Sequence, residues 1–132
     1  MSVLYLVRGI PGSGKTTLAC KITQDVFEAD QFFYRDITGQ INLRFGEYKF
    51  DSEKIKDAHA WCQKQCQLAM EAGLKDIAIS NTFTRHWETE AYYQLANSYG
   101  YEVVEVIVKS NFGSIHNVPI ETIEKMKERF EY

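Results

Sequence analysis

The sequence holds only two Pro and three Cys among 132 residues, and no long apolar run. Three Cys is too few, and an odd number, for a disulfide framework, so reduced thiols in a cytosolic protein are expected. Gly and Pro are too sparse for a low-complexity linker or a collagen-like repeat. The first apolar run, Val3 to Val7, ends at Arg8. It is shorter than a signal-peptide core and far shorter than a membrane span, and no later run approaches one. Positive charge is not in excess either: fifteen Lys and Arg against eighteen Asp and Glu leave −3. A mildly acidic chain has no global attraction for nucleic acid, so a polyanion must be held by a local basic pocket. What is present is ordinary: 45% hydrophobic and 25% charged residues, in a length suited to one domain over residues 1–132. The expectation is a soluble, cytoplasmic protein without a membrane partner.

The remaining pattern alternates strands with helices. Val3 to Val7 is a continuous β-type run, as in a strand buried on both faces of a parallel sheet. Helical character follows from Thr16, with Leu18, Ala19 and Ile22 on one side, and a short second strand is expected near Val26 to Ala29. Residues 31–51 are polar, aromatic and Gly-punctuated, and read as a functional loop or a small hairpin. A long helix is expected over Ser52 to Gly73, capped by Ser52 or Asp51. Its apolar stripe is Ile55, Ala58, His59, Cys62, Cys66 and Ala69. His59, Cys62 and Cys66 have no fourth ligand at a metal-binding spacing, so a buried helix face explains them better than a metal; Cys20 also reads as structural. A third strand is expected at Ile77 to Ser80, a helix at Arg85 to Tyr99, a fourth strand at Tyr101 to Val108, and an amphipathic helix at Pro119 to Glu131. This order gives an α/β fold with a parallel sheet.

Between the first strand and first helix stands Gly9-Ile10-Pro11-Gly12-Ser13-Gly14-Lys15-Thr16, an ungapped G-x-x-x-x-G-K-[ST] motif. Glycines let backbone N–H groups converge on an anion, and the helix that follows points its positive end at the same place. Lys15 can reach the β- and γ-phosphates of ATP, and the Thr16 hydroxyl can ligate Mg²⁺. Gly12, Ser13, Gly14, Lys15, Thr16 and Thr17 are the expected nucleotide-binding residues. Chance yields the pattern in on the order of one chain in 200 of this length.

Further along come Ala29-Asp30-Gln31-Phe32, Gly46-Glu47-Tyr48-Lys49-Phe50-Asp51, Ala58-His59-Ala60-Trp61-Cys62-Gln63, and Asn81-Thr82-Phe83-Thr84 with Trp87-Glu88. The series closes with His116-Asn117-Val118-Pro119, Met126 and Arg129. In order and spacing these resemble the P-loop kinases related to the 5′-polynucleotide kinase of T-even phages, including the polynucleotide-kinase-like domain of a NEDD-type ubiquitin-ligase-binding protein. The resemblance covers nearly the whole chain. It implies a P-loop, nucleotide-kinase-like domain with a parallel four-stranded sheet of order 2-3-1-4, flanked by helices. It also implies that Asp30 is the general base for an attacking hydroxyl. Arg35 close behind could pair with an acceptor phosphate or with Asp36. The crowded aromatics Phe32, Phe33, Tyr34, Phe45, Tyr48 and Phe50 suit either base stacking or a satellite core.

Two departures from the family pattern bear on function. The third strand ends Ile79-Ser80-Asn81-Thr82, with no carboxylate for Mg²⁺, so Asp30 would serve the metal as well as the hydroxyl. The link Lys109 to Asn117 is short for a lid and carries a single Lys, where the family has arginines that stabilise transferring phosphate. Lys109, Arg129, Arg85 or a partner subunit could substitute. The main expectation is an ATP- and Mg²⁺-dependent kinase acting on a nucleic-acid 5′-hydroxyl. The alternatives are a nucleoside, nucleotide or metabolite acceptor, or a catalytically weak nucleotide-binding module that regulates a protein partner.

Overall fold

The computed structural model describes residues 1–109 and 118–132. Most of the short lid, Ser110 to Asn117, and with it His116 and Asn117 of the last motif, lies outside them.

The strand β1 (Val3–Arg8) pairs in parallel with β5 (Asp76–Asn81) on one side and β6 (Glu102–Ile107) on the other. A two-residue strand, β2 (Val26–Phe27), pairs with the far edge of β5. The four strands lie in the order β2-β5-β1-β6, which is the expected 2-3-1-4 arrangement when the hairpin strands are left out of the count. The central position of β1 and β5 explains their unbroken apolar sequence. Leu4, Leu6, Val7, Ile77, Ala78 and Ile79 are all fully buried, because helices cover both faces. The edge strand β6 instead exposes Glu102, Val104 and Glu105.

On one face, α1 (Lys15–Ile22) packs Ala19 against Val7 and Ala78. On the other, α2 (Ile55–Glu71) and α3 (Glu90–Tyr99) enclose the larger core with Leu4, Leu6, Ile77 and Ile79. A 3₁₀ turn at Ser52–Lys54 leads into α2, and Asp51 rather than Ser52 caps it, its carboxylate accepting from Glu53 N at 3.0 Å. The buried stripe of α2 is Ala58, Cys62, Cys66, Ala69 and Met70. His59 and Ile55 are exposed, against expectation. One residue turns a helix by about 100°, so His59 falls beside the stripe that Ala58 begins. Cys20 is exposed as well, so it takes no part in the core.

The segment without period resolves into a 3₁₀ helix, Ala29–Phe33, and a hairpin of β3 (Tyr34–Arg35) and β4 (Glu47–Tyr48). Phe33 is its buried anchor, with its ring centroid 6.2 Å from Tyr48 and 5.1 Å from Phe50. The last helix, α4 (Ile120–Arg129), ends at Phe130, which returns to the sheet. There the buried Arg8 guanidinium lies 5.0 Å from the Phe130 ring centroid. It donates to Phe83 O and Glu131 O and pairs with Glu105. No helix among the described residues is long and apolar enough to cross a membrane.

Candidate active site

The candidate site residues gather at the carboxyl ends of the parallel strands. After β1 the chain turns through Gly12 (φ 82°) and Gly14 (φ 89°), a left-handed conformation that a side chain resists. Gly14 then caps α1, so the first free N–H groups of that helix open toward the loop. The Ser13 hydroxyl is buried there without a hydrogen-bond partner. Lys15 is half-buried beside it. Burial pushes its ammonium below the usual lysine range, while the charges of Glu28 and Asp30 pull it back up. Turned glycines, an orphaned hydroxyl and a desolvated ammonium together fit a polyphosphate.

Thr16 faces the same space. Its hydroxyl donates to Glu28 Oε2 at 2.8 Å and stands 3.3 Å from Ser80 Oγ. The end of β2 thus brings a carboxylate to the Thr16 hydroxyl, where the end of β5 has none. Two hydroxyls and a carboxylate are hard oxygen donors, the set that suits Mg²⁺. Glu28 is the site residue that sequence reasoning missed. Its signal was its place directly before Ala29-Asp30, just past a strand. The 3₁₀ turn that follows holds it in place: Glu28 N donates to Gln31 Oε1 at 3.3 Å, and Ala29 N donates to Asn81 Oδ1 at 2.9 Å. Asn81 thus braces the β2 end from β5, with its amide also 3.8 Å from Cys62 Sγ.

Asp30 lies in that turn and accepts a hydrogen bond from Tyr48 Oη at 3.2 Å. Burial and the Asp30 charge raise the Tyr48 phenol, and burial with Glu28 and Asp30 raises Tyr34. Both phenols thus remain neutral donors at ordinary pH. Lys15, Thr16, Glu28 and Asp30 consequently form one constellation with Tyr34 and Tyr48 at its rim.

Arg35 is engaged elsewhere. The hairpin pairs Tyr34 with Tyr48 and Arg35 with Glu47, and neighbouring strand positions point to opposite faces. The Arg35 guanidinium lies 4.3 Å from the Phe32 ring centroid and donates to Gly39 O at 3.0 Å. Of the cations that could replace lid arginines, Arg129 donates to Thr84 Oγ1 at 3.2 Å and Lys109 sits 4.9 Å from the Tyr132 ring centroid. Beside the P-loop, a cavity of about 150 Å³ is walled by Ile10, Val108, Lys109, Phe130 and Tyr132.

A P-loop opening onto a parallel sheet of this order defines the P-loop kinase fold. A family profile described as an AAA domain matches residues 4–112, and the chain belongs to that family. NEDD4-binding protein 2 from Homo sapiens is 32% identical over 146 aligned residues, covering 98% of this chain. The chain spans only 8% of that relative's length. An APS kinase from Mycobacterium tuberculosis shares the fold with a TM-score of 0.54 at 12% identity, over 99% of this chain and 98% of its own. A sugar kinase from Janibacter does so with a TM-score of 0.51 at 17% identity, over 100% of this chain and 69% of its own.

Proposed function

We propose that the chain is a phosphotransferase. It takes ATP with Mg²⁺ on Gly12 to Thr17 and passes the γ-phosphoryl to a hydroxyl activated by Asp30, with a nucleic-acid 5′-hydroxyl as the acceptor. The observation that carries this reading is the convergence of Glu28 and Asp30 on Lys15, with Glu28 also bonded to Thr16. Two carboxylates beside one phosphate loop allow a division of labour. Glu28 with Thr16 and Ser80 would hold Mg²⁺, and Asp30 is left to take the proton of the attacking hydroxyl. The sequence alone assigned both tasks to Asp30. When bound, Mg²⁺ neutralises charge on the β- and γ-phosphate oxygens.

Lys15 places its ammonium on the transferring phosphate, where burial strengthens its pull. Tyr48 donates to Oδ1 of Asp30 and orients the carboxylate that would take the proton. The small cavity beside Ile10, lined by Lys109 and Lys127 as well as Phe130 and Tyr132, would take part of the nucleotide next to the loop that holds the phosphates. The resemblance of the sequence motifs to those of polynucleotide kinases supports the nucleic-acid acceptor. The exposed Cys20 and the need for ATP suit the cytoplasm.

The test is transfer of label from γ-labelled ATP to a 5′-hydroxyl oligonucleotide in the presence of Mg²⁺. Labelled oligonucleotide that disappears with Lys15→Ala supports the reading. Labelling of a sugar or nucleoside but no oligonucleotide assigns a different acceptor to the same chemistry.

A further inference from the structure

A second recess lies between the hairpin and the start of α2. It is an open cleft of about 660 Å³, inside the range of about 300–1,000 Å³ common for ligand sites. Its lining includes three cations, Arg35, Lys49 and Lys54, and the rings of Phe32, Phe33 and Phe50. Asp51 is the one carboxylate of the lining, and it caps the turn into the next helix by accepting from Glu53 N. Three cations gathered in one recess stand out in a chain whose net charge is −3. Phe50 is 54% exposed, although an aromatic ring of that size would normally be buried by the core next to it. Lys49 and Lys54 are exposed as well, so neither has the burial of a structural ion pair.

We propose that this cleft binds a single-stranded nucleic-acid segment, with phosphates on Lys49, Lys54 and Arg35 and a base against Phe50. The chemistry selects the ligand. Cations recognise any polyanion, but the exposed Phe50 ring among them adds a stacking surface that an acidic peptide cannot use. A duplex keeps its bases stacked on one another and offers no free ring face to Phe50. Arg35 is already poised as part of the platform, its guanidinium carbon 4.3 Å from the Phe32 ring centroid. The cleft adjoins the reacting site through its rings: Phe33 and Phe50 pack against Tyr48, at 6.2 and 6.5 Å between centroids, and Tyr48 bonds Asp30. It is thus a docking site for nucleotides beyond the reacting end. The proposal rests on the nucleic-acid reading of the acceptor, but binding can be measured without turnover.

The experiment is fluorescence anisotropy of a short 3′-labelled single-stranded oligonucleotide with the full chain, without ATP, over a series of salt concentrations. Trp61 offers a second signal, because its ring lies 6.4 Å from Phe32 in the cleft wall. Lys49→Glu with Lys54→Glu is expected to lower affinity at least tenfold and to reduce the salt slope by about 1.4, the loss of two single-strand phosphate contacts. Phe50→Ala is expected to weaken binding about fivefold or more, in line with loss of one stacked base. Both sites are on the surface, and unchanged thermal unfolding verifies the fold of each variant. Oligonucleotide affinity unaffected by these substitutions overturns the proposal. So does equal affinity for poly-glutamate that ignores Phe50→Ala, because charge alone would then account for binding. If oligonucleotide binding depends on Lys49 and Lys54 while no transfer to any acceptor is seen, the cleft stands and the kinase reading fails.

Discussion

Lys15 sits where burial and two carboxylates act against each other. Because its folded pKa is lowered from 10.5, the unfolded chain holds more protons in the interval between the two values. Over that interval stability rises with pH. Nucleotide affinity has the opposite sign, since a polyphosphate favours the charged ammonium. ATP binding measured by calorimetry is expected to weaken as pH rises through the lowered pKa of Lys15, and the weakening is expected to vanish in Lys15→Ala. At Glu28, substitution to Gln is expected to raise the Mg²⁺ concentration needed for half-maximal transfer about tenfold or more, as a metal titration would show. ATP affinity without metal should change little. Tyr48→Phe removes one donor to Asp30. It is expected to lower kcat by about tenfold with KM for ATP unchanged, and kinetics over both substrates would show the split. Arg8→Met leaves the Phe83 and Glu131 carbonyls without their buried donor. It should cost about 3 kcal/mol, read as a fall of about 10 °C in Tm.

Among the elements, those with strong periodic signals were legible. The apolar runs of β1 and β5 follow from burial on both faces, and the P-loop is written in its own residues. The stripe of α2 was legible in its middle and not at its margins, where His59 and Ile55 turn out exposed. Hydropathy gives the identity of a side chain but not the edge of the surface that covers it. This has a chemical consequence. Burial pushes the thiol of Cys62 up to about 11 and that of Cys66 up to about 12, while Cys20 is exposed. A maleimide reagent at neutral pH is expected to modify Cys20 alone in the native chain and all three after unfolding. Rapid native labelling of Cys66 would contradict the packing of α2 against the sheet.

The hairpin and the site around it were the least legible elements, because nothing in them repeats. Arg35 and Asp30 are close in sequence, and that closeness suggested a shared task. The strand register separates Arg35 from the residue that holds Asp30, and no local pattern encodes that register. Glu28 escaped notice for a related reason. Its partner Thr16 is twelve residues away across a helix, so their bond exists only once β2 has joined the sheet.

At the scale of the whole molecule, a sheet of order β2-β5-β1-β6 brings three loop ends to one edge. The P-loop comes from β1, the Glu28–Asp30 turn from β2, and Ser80 with Asn81 from β5. The C-terminal segment closes the arrangement from outside, through Arg8 and the bond of Glu131 N to Thr84 O at 2.6 Å. Lys15 and Asp30 are expected to divide phosphate binding from hydroxyl activation. The most direct measurement is the single-turnover rate of label transfer from γ-labelled ATP by the native chain and by Asp30→Asn, with the ATP Kd taken on the same samples. The expected result is a loss of about 10²–10⁴-fold in rate for Asp30→Asn with ATP affinity nearly unchanged. Transfer that survives Asp30→Asn at the native rate would contradict the assignment of the base.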